Sequence, residues 1–338
     1  EQGKPVIGFG AGEPDFPTPE YVVKDVQVAA EDTSNHKYSP VAGLTILKEE
    51  IVRTSQLYSG INVQQENILV SNGGKHAILT TFMSILNPGD EVLIPSPYWT
   101  TYPEAVKISG GNPIIVDTEF DDDFKVNTDQ LDALKTSKTK ILVWVSPSNP
   151  TGVVYTKEEA EQIYNWAFEN NVWILSDELY EHLVYEGMTS PSPAQYDTEL
   201  NNTIIINGVA KAYSMTGWRV GWIIANTDVI DMAKKIQSHA TSNVSNISQI
   251  AAYSALKNGL NETKIMKESF NRRRLYAIEE FSNIENVNLI KSTGAFYLFP
   301  DVSYYSSNGV INGVHNSIDF CNWLLDEYFI AFVPGEVF

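Results

Sequence analysis

Cysteine is almost missing from this chain. Cys321 is the only one among 338 residues, so no disulfide can close within it, and a reducing compartment, the cytoplasm, is expected. Basic residues are also scarce: 23 Lys and Arg stand against 42 Asp and Glu, a net charge of −19. Such a surface repels nucleic acid and anionic membrane, so neither is an expected partner. No apolar run approaches the roughly 18 residues that a membrane-spanning helix needs. The first residues, Glu1-Gln2-Gly3-Lys4-Pro5, carry neither a signal-peptide h-region nor an initiator Met, so a processed or partial product is expected. The five histidines, His36, His76, His182, His239 and His315, are scattered without metal-ligand spacing, and no metal site is expected. The one basic cluster, Arg272-Arg273-Arg274, lies in a helical pattern and reads as solvated helix charge.

What is present is an ordinary globular composition, 43% hydrophobic and 19% charged. From about residue 65, short apolar runs alternate with amphipathic segments. The runs are Ile68–Val70, Glu91–Ile94, Pro113–Val116, Ile141–Val145, Val172–Leu175 and Thr203–Ile206. They are rich in β-branched residues and nearly continuous, as strands buried on both faces are. Between them, Lys75–Leu86 and Thr156–Asn170 read as helices, the second opened by a Thr156/Glu159 capping box. The alternation predicts an α/β fold, a mostly parallel sheet between helices. After Asp228 helical patterns dominate to about residue 283, with a long one from Asn261. Strands over Asn286–Ile290 and Ala295–Phe299, a helix over Ser317–Tyr328 and a strand over Phe329–Val333 then predict a smaller α+β unit.

Four loops follow these runs, where an open α/β sheet forms its ligand crevice. In Ser71-Asn72-Gly73-Gly74-Lys75, glycines at a helix start bare N–H groups to an anion, although the same residues make a plain turn. In Pro147-Ser148-Asn149-Pro150-Thr151-Gly152, Asn149 presents an amide donor or simply a turn. In Ser176-Asp177-Glu178-Leu179-Tyr180, Asp177 is a carboxylate at a strand end that can face a heterocyclic nitrogen or cap a helix. Tyr180 falls on the same side if the chain turns helically. In the stretch from Asn207 to Arg219, Lys211 stands among small and apolar residues. Partial burial lowers a lysine pKa and frees its amine as a nucleophile. Arg219, eight residues on, suits a phosphate.

Together these motifs resemble the class I aminotransferases of the fold-type I pyridoxal-phosphate family. Ala210-Lys211-Ala212-Tyr213-Ser214-Met215-Thr216-Gly217-Trp218-Arg219 is similar to its cofactor-lysine signature. Gly10–Phe16, Lys37–Gly43, Ser96–Trp99, Ser148–Gly152 and Asp177–Tyr180 resemble its other motifs in the same order. Within the family the resemblance is to bacterial aspartate aminotransferases of the aspartate/prephenate type, and it runs over essentially the whole chain.

The resemblance implies a seven-stranded large domain over residues 43–283 and a small domain from residues 1–42 and 284–338. It implies a pyridoxal 5'-phosphate Schiff base on Lys211, with Asp177 facing the ring nitrogen. Asn149 and Tyr180 then meet the ring's phenolic oxygen, and Trp99 stacks on the ring. Gly73, Gly74, Arg219 and, from a second subunit of a homodimer, Tyr38 hold the phosphate. Gly12 lies near the substrate carboxylate, Trp99 and Asn149 also line the substrate site, and Lys75 meets a distal carboxylate. The donor is therefore expected to be aspartate or glutamate and the acceptor a 2-oxo acid. Three departures accompany these expectations. The family's carboxylate-clamping arginine lies just beyond the Pro334-Gly335 turn, the N-terminal arm is absent, and Gly208 and Ala210 stand where some relatives have Ser. The small domain is thus expected to be incomplete and this stretch of chain to transaminate poorly. Rival readings are a C–S β-lyase or a non-catalytic cofactor-binding homologue on the same fold. A nicotinamide dehydrogenase lacks support, because no G-x-G-x-x-G turn opens the first βα unit.

Overall fold

A computed structural model describes residues 3–307 and 309–338. Its centre is a sheet of seven strands: β1 (Ile68–Ser71), β2 (Glu91–Pro95), β3 (Asn112–Val116), β4 (Thr139–Val145), β5 (Trp173–Asp177), β6 (Thr203–Gly208) and β7 (Gly221–Ile224). Their order is β1-β7-β6-β5-β4-β2-β3. β7 runs antiparallel to both neighbours, and the other pairings are parallel. The α/β prediction therefore holds, with six of the strands lying on the six apolar runs.

Those runs are continuous because both faces are covered. Ile204 and Ile206 sink into one core with Leu69, Leu175 and Phe82, while Ile205 points into the opposite core with Val70 and Trp222. The helix Gly74–Ile85 covers the first face. The helices Thr45–Thr54 and Asn246–Asn258 cover part of the second, and Glu20–Glu31 joins them there through Val22. The helix Lys157–Glu169 begins with the expected reciprocal cap: the Thr156 N–H donates to Glu159 at 2.6 Å and the Glu159 N–H to the Thr156 hydroxyl at 3.2 Å.

β7 did not stand out in the sequence because it is short and starts with glycine. That glycine is required by close approach. A Cβ on Gly221 would lie 2.8 Å from both the Gly73 carbonyl carbon and the Gly74 nitrogen, so β7 can pass beside the Gly73-Gly74 turn only without a side chain.

In the last third, the helices Thr227–Ala240, Asn246–Asn258, Asn261–Ser282 and Ser317–Tyr328 stand where expected. The predicted strand Asn286–Ile290 shrinks to Asn288–Leu289, and the one over Phe329–Val333 to Ile330–Ala331, which pairs in parallel with Ile7–Gly8. The predicted strand Ala295–Phe299 is not one. Ala295 adopts φ +55°, which strands exclude, and the chain turns there so that the rings of Phe296 and Tyr297 pack on Tyr180. Pro300–Asp301 supplies the antiparallel partner of Asn288–Leu289. The basic cluster needs a correction too. Arg274 is only 6% exposed, pairing with Glu186 at 2.8 Å and donating to the Ser292 carbonyl at 2.6 Å. The neighbouring Arg273 pairs with Asp15 on the surface.

Candidate active site

The loops after β1, β4, β5 and β6 gather at the carboxyl edge of the sheet. Asp177 ends β5 and is 5% exposed. Its Oδ2 accepts the Tyr102 hydroxyl at 2.7 Å, and its Oδ1 accepts the Leu179 N–H at 3.3 Å. Burial pushes its carboxyl up to about 6, against the pull of those two donors. Among the described residues no cation touches it, so a buried acid stands ready for a cationic partner. The chain after it forms a turn rather than a helix, and Tyr180 is carried by that turn.

Lys211 is half-buried. Its Nζ donates to the Gly12 carbonyl and lies 5.7 Å from the ring centres of both Tyr180 and Phe296. Loss of water lowers its pKa below the usual lysine value, while the charges of Asp177 and Glu13 push it back up. The loop bearing Gly12 is tied to the lysine loop. Thr216 donates to Glu13 at 2.9 Å, Thr18 to the Ser214 carbonyl at 3.1 Å, and Trp218 Nε1 to Thr18 at 2.9 Å.

At the other end of the site, Gly73 takes φ +84° and caps the helix Gly74–Ile85 with no side chain of its own. A Cβ there would fall 2.6 Å from Arg219 Nη2. Arg219 itself sits at φ +57°, and among the described residues its guanidinium donates only to main-chain carbonyls, those of Thr216 at 2.9 Å and Asn72 at 3.4 Å. An uncompensated guanidinium over the bare N–H groups of a helix start makes an anion cradle, which any side chain at Gly73 would fill. Lys75, exposed on the same helix, holds its Nζ 5.0 Å from the Trp99 ring, and Trp99 meets Tyr102 edge-on at 5.7 Å.

Tyr180 is buried, with its hydroxyl 2.5 Å from that of Tyr297. Asn149 is half-buried beside Tyr98 and Tyr102, and its amide makes no hydrogen bond among the described residues. Tyr38 is set apart: it is 91% exposed, and its side chain makes no hydrogen bond among the described residues. The structure thus brings Lys211, Asp177, Tyr180, Asn149, Trp99, Gly73, Gly74, Arg219, Lys75 and Gly12 to one end of the sheet, and leaves Tyr38 outside. Three neighbours escaped the sequence reading: Tyr102, Glu13 and Tyr297. Tyr102 had a signal, since it lies three residues after Trp99 in a helical pattern. Tyr297 had none, being 117 residues from the tyrosine it touches.

These residues fit pyridoxal 5'-phosphate. The cradle suits its phosphate, the buried Asp177 a protonated ring nitrogen, the free amide of Asn149 its phenolic oxygen, and the Lys211 amine its aldehyde.

Comparison with known proteins agrees. The pattern of the family described as aminotransferase class I and II matches residues 4–338. An aspartate aminotransferase of Streptomyces avermitilis is 46% identical over 338 residues, covering 99% of this chain and 83% of that protein. An aspartate/prephenate aminotransferase of Cereibacter sphaeroides is 38% identical over 340 residues, covering 99% and 85%. The crystal structure of an aspartate aminotransferase from Rhizobium meliloti superposes with a TM-score of 0.94 at 36% identity, covering 99% of this chain and 84% of that one. The chain belongs to the class I and II aminotransferases.

Proposed function

We propose that this chain transfers an amino group between an acidic amino acid, aspartate or glutamate, and a 2-oxo acid, with pyridoxal 5'-phosphate carried on Lys211. The observation that carries the reading is the gathering, at one edge of the sheet, of a half-buried lysine, a buried carboxylate that no cation touches among the described residues, and the anion cradle of Gly73 and Arg219. The cofactor supplies an aldehyde that condenses with amines and a ring that takes up the electron pair left when the substrate Cα loses its proton.

The chain's own residues do the rest. Asp177 keeps the ring nitrogen protonated, because a buried carboxylate without a cation is costly. Lys211, whose pKa desolvation lowers, would carry the proton between the substrate Cα and the cofactor's C4′ carbon. Tyr180 and Asn149 donate to the phenolic oxygen, and Trp99 offers the aromatic face. Gly73, Gly74 and Arg219 hold the phosphate, joined by Tyr38 from a second copy, whose exposure in its own subunit suits a homodimer with shared sites. Gly12 lies beside the substrate α-carboxylate, and Lys75 meets the distal one and selects acidic donors.

We also propose a large domain over residues 43–283 and a small one from residues 1–42 and 284–338. The pairing of Ile7–Gly8 with Ile330–Ala331 and the stacking of Phe9 on Phe332 at 5.0 Å support it, although Glu20–Glu31 leans on the large unit. A cytoplasmic location is proposed from the single cysteine and the acidic surface. No helix among the described residues is long and apolar enough to cross a membrane.

The test is spectroscopic. Protein loaded with the cofactor should be yellow, and aspartate should bleach it as the amino group is transferred. Lys211→Ala should bind the cofactor without that colour and turn over nothing. A Lys211→Ala variant with wild-type turnover overturns the assignment.

A further inference from the structure

Tyr180 carries one hydroxyl proton and two lone pairs. Under the proposed function its proton goes to the cofactor's phenolic oxygen, and its own oxygen then needs a donor. The structure supplies one. The Tyr297 hydroxyl lies 2.5 Å away, with the two rings edge-on at 5.6 Å. Tyr297 is held firmly in that place. The Ala295 N–H donates to the Leu183 carbonyl at 2.8 Å, the Tyr185 hydroxyl donates to the Ala295 carbonyl, and Phe296 packs on Tyr180 and Phe270. On its other side the Tyr297 hydroxyl abuts Gly12: a Cβ there would stand 3.2 Å from it. Gly12 is also the residue whose carbonyl accepts from Lys211.

We propose that Tyr297 is a positioning residue that acts on the cofactor through Tyr180, donating its hydroxyl proton to Tyr180 so that Tyr180 donates more strongly to the cofactor's phenolic oxygen. This rests on the function proposed above. Hydroxyls in series polarise one another, so removing the outer one weakens the inner bond without breaking it. A weaker bond to the phenolic oxygen leaves more negative charge free on it. The nitrogen joining cofactor to Lys211 then keeps its proton to higher pH. The other charged and titratable groups facing this pair are Asp177 and Tyr102 around Tyr180, and Asp177, Glu13 and Arg219 around Lys211. Tyr297→Phe removes none of them.

The experiment is an absorbance titration of the lysine-bound cofactor in four proteins: wild type, Tyr180→Phe, Tyr297→Phe and the double variant. Tyr297→Phe should raise the apparent pKa by about 0.5 to 1 pH unit, less than Tyr180→Phe does. In the Tyr180→Phe background it should add no further shift, which a merely structural loss would not produce. No shift from Tyr297→Phe alone overturns the inference, as does a full shift that persists without Tyr180. A wild-type protein with no Lys211-dependent titrating band overturns the functional reading and this inference with it, an outcome distinct from a silent Tyr297→Phe in a titrating protein.

Discussion

Asp177 and Glu178 are neighbours in sequence and almost equally buried, at 5% and 3% exposed, yet the fold treats them differently. Asp177 faces the lysine side of the site, where Tyr102 and the Leu179 N–H leave it without a cation. Glu178 turns the other way. Its Oε1 accepts the hydroxyls of Ser176 and Ser192, and the Glu181 carboxylate lies near enough to repel it. Burial raises the pKa of both. One desolvated acid is settled by two local hydroxyls, and the other is left for a cation from outside. Burial alone therefore does not mark a functional carboxylate. What marks it is the partner the fold withholds.

The sharpest way to break this contrast is to neutralise each acid in turn. Asp177→Asn should cut kcat/KM for transamination by at least about a thousandfold, the scale of losing one member of a buried charge pair. Glu178→Gln should change it by only a few-fold. Comparable losses in steady-state assays of both variants would erase the distinction.

The next effect lies in stability against pH. A carboxyl whose pKa is raised on folding stabilises the fold while protonated. Cofactor-free protein should therefore lose stability as pH rises from 3.8 through about 6 because of Asp177, by roughly 3 kcal/mol. Glu178 adds a loss of the same sign, beginning in the ordinary carboxylate range and extending higher. Loading the cofactor should remove the Asp177 part, since a cation then faces it, and leave the Glu178 part, which only Glu178→Gln abolishes. Thermal melts across pH, with and without cofactor, separate the two.

The smallest effect concerns Lys75, another charge with no partner of opposite sign among the described residues, but an exposed one. Water already screens it, so Lys75→Ala should raise KM for aspartate only about threefold to tenfold and leave an uncharged donor such as alanine unaffected. A donor-independent change in kinetics would remove Lys75 from substrate selection.

Much of this could be read along the chain. The Ile204-Ile205-Ile206 run announced a strand covered on both faces, and Thr156 with Glu159 announced a helix start, because both signals are local. Lys211 was legible because a lysine among small apolar residues is out of place. Other features left no local trace. β7 is four residues, the first of them a glycine whose need comes from the Gly73-Gly74 turn, far away in sequence. The segment Ala295–Phe299 has strand composition, but packing of its rings on Tyr180 bends it at Ala295. Arg274 looked like surface charge until Glu186 and the Ser292 carbonyl arrived from other segments.

By itself the sequence determined the α/β alternation, the loops at strand ends and the kinds of chemical group those loops carry. These follow from periodicity, turn residues and side-chain chemistry over a few positions. Only the tertiary structure decided which acid faces Lys211, that Tyr102 and Tyr297 stand behind Asp177 and Tyr180, and that Arg219 closes over Gly73. Those outcomes depend on which distant surfaces exclude water from one another, and desolvation is a property of the packed molecule.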